Sequence, residues 1–220
     1  MKAEKISNRG TMFTFRPLDR WDMHSYWIEG KDNHYIIDTA CGSLDAQEIK
    51  DYVLSHAERK PFVVILTHHH WDHVWGTGCF DAKTIIANKK LIGDMLKYGE
   101  YEIKHNIPYI RGKVCVATPT LLVENDLTIA EDNLFLFTST GHTIDCLCIL
   151  DGQDRVLYVG DNIGDSIDSP LPHLVTGKSE YINAVEYMKS LDFDILCSGH
   201  NRVLDKSFLD KILLALSKKK

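Results

Sequence analysis

The sequence of 220 residues predicts a mixed α/β protein in which layered sheets are covered by helices. Short apolar segments typical of strands dominate each half of the chain, and amphipathic segments typical of helices come between them. No linker rich in proline, glycine or serine divides the sequence, so we predict a single domain over residues 1–220. The hydrophobic content of 44% and the charged content of 25% are ordinary for a globular protein.

The first half of the chain is expected to alternate strands with two helices. Strands are predicted over residues 11–16, 24–28, 34–39, 62–66 and 84–87. Ser43 can cap a helix that runs to about residue 59, and a second helix is expected over about residues 88–97. Residues 62–66 are apolar throughout, which is typical of a strand buried on both faces.

The second half returns to strands after an interruption. Residues 98–113 are predicted to be irregular because Gly99, Pro108 and Gly112 lie within them. Strands are expected over residues 114–117, 121–123, 127–129, 134–137, 146–150, 156–159 and 193–197. A long loop over residues 162–178 precedes a helix at about 179–190, and an amphipathic helix is expected over 205–216.

Four side chains that can bind a metal follow the buried strand at residues 62–66. They are His68, His70, Asp72 and His73. Alternate residues of an extended segment point the same way, so His68 and His70 can converge on one ion. Asp72 and His73 follow where the chain leaves the strand, and they can turn towards a second ion. Imidazole and carboxylate ligands suit zinc, iron or manganese better than calcium or magnesium.

Three further metal-capable residues follow predicted strands in the second half, and each comes directly after a glycine. They are His142, Asp161 and His200. Glycine permits tight turns and close backbone approach, so several strand ends can crowd around one point. Sites in layered α/β folds cluster at strand ends. The repetition of one pattern at four strand ends predicts a metal centre.

The motif His68-x-His70-x-Asp72-His73, followed by His142, Asp161 and His200, resembles the metallo-β-lactamase superfamily. The resemblance implies a four-layer αββα sandwich. It also implies that His68, His70 and His142 hold one metal, that Asp72, His73 and His200 hold the second, and that Asp161 bridges them. Asp38 matches a family position at the base of the site, where it would orient a ligand histidine; a turn or helix-capping role is the alternative.

The resemblance implies two divalent metal ions, zinc in the first place with iron or manganese as alternatives. A hydroxide bridging two such ions could cleave a small ester-like bond, such as a thioester, a lactone or an amide. Asp72 would then be both a ligand and the group that orients the hydroxide. The alternative function is that of a mononuclear iron oxidoreductase of the sulfur dioxygenase type on the same fold.

Candidate substrate contacts lie near the expected metal loop and in the two long loops: Trp71, Tyr109, Arg111 and His173. The partner is expected to be a small molecule. The net charge of −6 argues against a nucleic-acid surface. No secretory signal and no segment long enough to cross a bilayer is present, which predicts a cytoplasmic protein without a membrane partner. The six cysteines are expected to be free thiols. The oligomeric state stays open, a homodimer being one alternative.

Overall fold

The computed structural model describes residues 1–218, including every side chain in that range except that of Asp19. The chain divides into two compact units, Met1–Val123 and Glu124–Lys220. Each unit contains one sheet and its own hydrophobic core. The single domain stays a prediction, since a division into compact units does not show whether either unit folds alone.

The first unit carries a seven-stranded sheet whose strands pair in chain order. The strands are β1 (Lys2–Lys5), β2 (Gly10–Phe15), β3 (Met23–Glu29), β4 (His34–Ile37), β5 (Phe62–Ile65), β6 (Thr84–Asn88) and β7 (Leu121–Val123). Strands β1 to β4 pair antiparallel, and β4 to β7 pair parallel. The parallel register, with Ile37 opposite Ile65, places the carboxyl ends of β4 and β5 side by side. The histidine loop therefore starts beside the end of β4.

Three α-helices belong to the first unit: α1 (Ser43–His56), α2 (Trp71–Val74) and α3 (Leu91–His105). Helix α1 buries Ala46, Ile49 and Val53 in a core that also contains Val64 and Trp75. The cap of α1 is Gly42 rather than Ser43, whose hydroxyl instead accepts a hydrogen bond from the backbone N–H of Lys113 at 2.9 Å.

Two further sequence-based expectations for the first unit were wrong. Residues 98–105 are helical, because α3 runs from Leu91 to His105 and Gly99 does not interrupt it. Residues 114–117 form no strand. The backbone of Cys115 in that segment bonds instead to Trp75 O and Gly78 N, both at 2.7 Å, so turns satisfy its polar groups. Strand β1, which the sequence did not predict, pairs with β2.

The second unit carries a six-stranded sheet in the order β13-β12-β11-β10-β9-β8. Its strands are β8 (Asp126–Ile129), β9 (Leu134–Thr138), β10 (Leu147–Asp151), β11 (Val156–Tyr158), β12 (Ile195–Cys197) and β13 (Leu204–Asp205). All neighbours pair antiparallel except β11 and β12, which are parallel. Helices α4 (Lys178–Ser190) and α5 (Phe208–Lys218) bury Tyr181, Val185 and Ile212 in the core of this unit.

All six cysteines lie within the described residues, and all are free thiols, which confirms that prediction. Within residues 1–218, none of the helices combines the length and the apolar character that crossing a membrane requires.

Candidate metal centre

Asp38 anchors the start of the histidine loop in the first unit. Its Oδ1 accepts the backbone N–H of Thr67 at 2.8 Å, and its Oδ2 accepts the Thr67 hydroxyl at 2.7 Å. The same Oδ2 lies 2.7 Å from Nδ1 of His73, with both side chains buried. Asp38 has a positive φ of 59°, a left-handed conformation that is uncommon outside glycine and turns its side chain away from the strand direction. Asp38 therefore holds two points of the loop at once.

The hydrogen bonds around Thr67 also fix the proton position on His68. Because the Thr67 hydroxyl gives its single proton to Asp38, it must accept a proton from Nδ1 of His68, 3.1 Å away. The lone pair of His68 is then on Nε2, which lies 3.0 Å from Nδ1 of His70. In the same way, the bond of His73 Nδ1 to Asp38 leaves its lone pair on Nε2.

Asp72 lies in the first turn of α2 and brings its carboxylate close to His73. Its Oδ1 is 3.9 Å from His73 Nε2. The imidazole rings of His68 and His73 have their centroids 4.1 Å apart, so all four predicted ligands of the loop come together. Burial raises the pKa of the nearby Cys41 thiol far above its usual range, and the charge of Asp72 raises it further. Cys41 is thus a neutral thiol.

Glu102 is a residue of this site that the sequence did not predict. It extends from α3, is only 9% exposed, and accepts a hydrogen bond from the backbone N–H of Trp71. Burial raises the pKa of Glu102 to about 7, opposed by the charge of His69. His69, His70 and Glu102 bring potential ligand atoms within 4.8 Å of one another. Had residues 98–105 been predicted as helical, Glu102 could have been predicted to lie on the buried face of the helix.

The candidate substrate contacts of the first unit form an aromatic group beside the loop. Trp71 stacks on Tyr109 with ring centroids 5.3 Å apart and an interplanar angle of 26°. Trp21, which the sequence did not single out, meets Tyr109 edge-on at 4.9 Å and Trp71 at 6.4 Å. Arg111 follows two residues later, with its Nε 3.3 Å from Asp45 Oδ1. His69 is held away from this group by stacking on Tyr98.

The second unit brings together the three remaining predicted ligands. Oδ2 of Asp161 lies 3.2 Å from Nε2 of His200 and 3.7 Å from Nε2 of His142. The parallel pairing of β11 with β12 aligns the ends of these strands, and the backbone N–H of Gly199 bonds to Gly160 O at 2.9 Å. Asp161 and His200 follow these two glycines directly. One carboxylate oxygen therefore faces both histidines.

Close backbone packing explains the glycines that precede these ligands. Gly160 has a positive φ of 53°. At Gly141, an added Cβ would lie 2.6 Å from Asn162 Oδ1, the atom that accepts the backbone N–H of His142. Nδ1 of His142 donates to the backbone carbonyl of His173 at 3.2 Å, which leaves its lone pair on Nε2. The side chain of His173, a candidate substrate contact, plays no part in that bond.

The donor set in each unit fits a divalent metal of the zinc type. Five histidines and two aspartates offer neutral imidazole nitrogens and carboxylate oxygens, and the hydrogen bonds described above select the tautomers of His68, His73 and His142. Two imidazole nitrogens on one tetrahedral zinc lie about 3.3 Å apart. The distance of 3.0 Å between the facing nitrogens of His68 and His70 is close to that value.

Solved structures of known proteins share this fold. A metallo-beta-lactamase from Pontibacter korlensis matches with a TM-score of 0.77 and 16% identity over 99% of both chains. A metallo beta lactamase from Hirschia baltica matches with a TM-score of 0.75 and 17% identity, over 98% of this chain and 97% of that one. The DIM-1 metallo-beta-lactamase matches with a TM-score of 0.73 and 14% identity, over 100% of this chain and 98% of that one. These likenesses confirm the predicted fold class, a mixed α/β protein with two sheets and helices.

Sequence comparison gives the family. A search of curated proteins finds no match. The family model described as the metallo-beta-lactamase superfamily matches residues 19–200, which is most of the chain and includes all seven predicted ligands. The chain therefore belongs to the metallo-β-lactamase superfamily.

Proposed function

We propose that the protein is a hydrolase that uses two divalent metal ions, zinc in the first place, to cleave a small ester-like bond. The ions would be held by seven side chains: His68, His70, Asp72, His73, His142, Asp161 and His200. The family match over residues 19–200 supports this proposal, because metal-dependent hydrolysis is the general activity of the superfamily. The observation that carries it most directly is the pair of short contacts that Asp161 Oδ2 makes with His142 and His200, as a bridging ligand requires.

The side chains of the first unit divide the work of binding and orientation. When bound, two divalent ions supply a hydroxide nucleophile at neutral pH and polarise the carbonyl that it attacks. Asp72 has a second carboxylate oxygen besides the one that faces His73, and it can accept a proton from the attacking water. Asp38 and Thr67 keep the lone pairs of His68 and His73 on Nε2. Trp71, Tyr109, Arg111 and His173 are the proposed substrate contacts.

The proposed reaction, hydrolysis by a metal-bound hydroxide, limits the possible substrates, whereas the fold alone does not. Thioesters, lactones and related acyl compounds fit a site in which no side-chain nucleophile is needed. The solved structures of similar fold are titled metallo-beta-lactamases, so a β-lactam belongs in the same substrate panel.

Metal content tests the proposal. Protein purified without added metal is expected to contain about two zinc or manganese ions per chain by elemental analysis, as a dinuclear site requires. A content close to one iron per chain, with oxygen consumption on a persulfide substrate, would transfer the assignment to the mononuclear oxidoreductase. Protein that binds no metal would overturn the ligand assignment.

His70→Ala tests the role of the site in turnover. We expect this variant to lose metal and hydrolysis of every substrate that the wild type accepts, with an unchanged circular dichroism spectrum. His105→Ala is the matched control. His105 is an exposed histidine of α3 that stacks on Tyr101, and it is not among the proposed ligands. Hydrolysis retained by purified His70→Ala would contradict the proposal.

A further inference from the structure

The first unit contains a cavity of about 590 Å³ that none of the metal ligands lines. Its size is within the range of small-molecule sites, roughly 300–1,000 Å³. The apolar part of its wall includes Phe15, Pro108 and Ile110, and the polar part includes Arg111. An apolar wall with a few placed polar groups is the usual composition of a ligand site.

Arg111 is fixed in this wall by both its backbone and its side chain. Its backbone N–H donates to Cys41 O at 3.1 Å, and its carbonyl accepts the N–H of Leu44 at 3.1 Å. Its Nε lies 3.3 Å from Asp45, a carboxylate that is 1% exposed, whereas the Arg111 side chain itself is 52% exposed. A guanidinium has five N–H donors, so the bond to Asp45 leaves donors for a ligand. A buried carboxylate thus holds an arginine in place at the cavity surface.

The charges around the cavity favour an anion. Each of the three carboxylates in its wall has a cation: Asp45 has Arg111, Asp22 has Arg16 at 2.8 Å, and Glu48 has the amino group of Met1 at 3.1 Å. Lys2 adds a positive charge to the wall. Its ion pair with Glu4 is between exposed groups and is therefore weak. A cationic ligand would have to displace one of the existing partners.

The cavity shares a side chain with the metal loop. Tyr109 lines the cavity and stacks on Trp71, the residue directly before Asp72. A substrate part bound against Tyr109 would therefore lie beside the chain segment that carries the proposed ligands.

We propose that this cavity binds the carboxylate-bearing end of the substrate, which is accordingly a small acyl compound with a carboxylate on a short apolar chain. The planar pair of carboxylate oxygens matches the guanidinium of Arg111, and Phe15 and Ile110 contact the carbon chain. This assignment rests on the proposed hydrolase function, but binding of a ligand in the cavity can be measured separately from turnover.

The test is the binding of hexanoate to the His70→Ala variant of the 220-residue chain. Hexanoate has a carboxylate and a short apolar chain, and the variant removes a proposed metal ligand. Titration calorimetry is expected to show binding that weakens about tenfold or more in the double variant His70→Ala, Arg111→Ala. Adding Arg59→Ala instead, an exposed arginine outside the cavity wall, is expected to leave the affinity unchanged. Neutral hexanol should show no dependence on Arg111.

A second variant covers the case in which loss of Arg111 unfolds the protein. Leu18 is 55% exposed and lines the cavity, so Leu18→Glu adds a negative charge to the wall without disturbing the core. It is expected to weaken hexanoate binding as well. The cavity assignment is overturned if hexanoate does not bind, or if it binds to the Arg111→Ala and Leu18→Glu variants as well as it binds to the His70→Ala protein. This holds even if two metals and hydrolysis are found.

Kinetics with the wild-type background give the complementary measurement. Arg111→Ala is expected to raise KM at least tenfold for an ester that carries a carboxylate and to leave KM unchanged for the neutral analogue. Equal effects on both substrates would also count against the assignment. Absence of metal and of turnover would instead contradict the proposed hydrolase, and the hexanoate result would stand.

Discussion

His73 donates its Nδ1 proton to Asp38 across 2.7 Å in a buried pair, and the same carboxylate oxygen accepts the hydroxyl of Thr67. A single aspartate at the end of β4 therefore orients two histidines of the loop, one directly and one through Thr67.

Asp38→Asn is expected to lower metal affinity about 10- to 100-fold, as loss of a partner to a ligand histidine usually does. The amide keeps one acceptor oxygen, whereas the structure uses both oxygens of Asp38: Oδ1 accepts the backbone N–H of Thr67, and Oδ2 accepts from the Thr67 hydroxyl and from His73. In either orientation of the amide, its NH2 group therefore faces a donor in place of an acceptor. Competition with a chromogenic chelator measures the affinity. Asp32→Asn, a change at an exposed turn residue, should behave as the wild type. Equal affinities in both variants would rule out the orienting role.

Thr67→Val and Thr67→Ser separate the hydroxyl of Thr67 from its shape. Valine is nearly isosteric but leaves the buried Nδ1–H of His68 without its acceptor, which costs about 1–3 kcal/mol. We expect the valine variant to bind divalent metal about tenfold more weakly and the serine variant to bind it like the wild type. Should the serine variant be the weaker of the two, packing of the methyl group and not the hydrogen bond would be the contribution of Thr67.

Gly76→Ala is expected to destabilise the first unit by more than about 2 kcal/mol. An added Cβ would lie 2.2 Å from Thr39 O and 2.7 Å from the Cβ of Ala46, and neither atom belongs to a flexible side chain. Gly93→Ala is the control, because Gly93 lies within α3 with no other group inside 4 Å, and alanine there should stabilise by about 0.5–1 kcal/mol. Urea denaturation measures both. Similar values for the two variants would contradict the close packing at Gly76.

His34 is expected to make stability depend on pH below neutrality. Burial lowers the pKa of His34 below its usual 6.5, and its Nδ1 accepts the indole N–H of Trp27 while Nε2–H donates to Glu58 O. The unfolded chain then binds the proton more readily, so stability is lost as the pH falls through 6.5. His34→Phe removes this pH-dependent contribution to stability. The difference in free energy of unfolding between the wild type and the variant should therefore become smaller from pH 8 to pH 5.5. A difference that stays constant over this pH range would disprove the shift.

The parts of the fold that the sequence predicted are those with a strong apolar pattern. Strand β5 is a continuous apolar run, and it located the histidine loop correctly. Helix α3 was predicted too short because Gly99, Pro108 and Gly112 were taken to make residues 98–113 irregular, whereas Gly99 lies within the helix. Strand β1 has the sequence Lys-Ala-Glu-Lys, and only pairing with β2 makes it a strand.

Within the candidate site, the residue types and their order were readable from the sequence, but the hydrogen bonds were not. The link from Asp38 through Thr67 to His68 depends on the parallel register of β4 with β5. The stacking of Tyr109 on Trp71 likewise depends on the path of the chain after α3, and the prediction of an irregular segment over residues 98–113 did not give that path.

The two ligand groups differ in how far apart their members lie along the chain, and this has a consequence for the order of events during folding. His68, His70, Asp72 and His73 are close neighbours in sequence, so an unfolded chain already holds them close together and could bind a divalent metal. Asp161 and His200 meet only once β11 has paired with β12, a long-range step that is slow because the intervening loop must close first. A divalent metal bound to the unfolded chain would reduce the net stabilisation that the metal confers, since only the difference in affinity between the folded and unfolded states counts. The stabilisation that the metal confers is therefore expected to be smaller than its affinity for the folded protein alone would give.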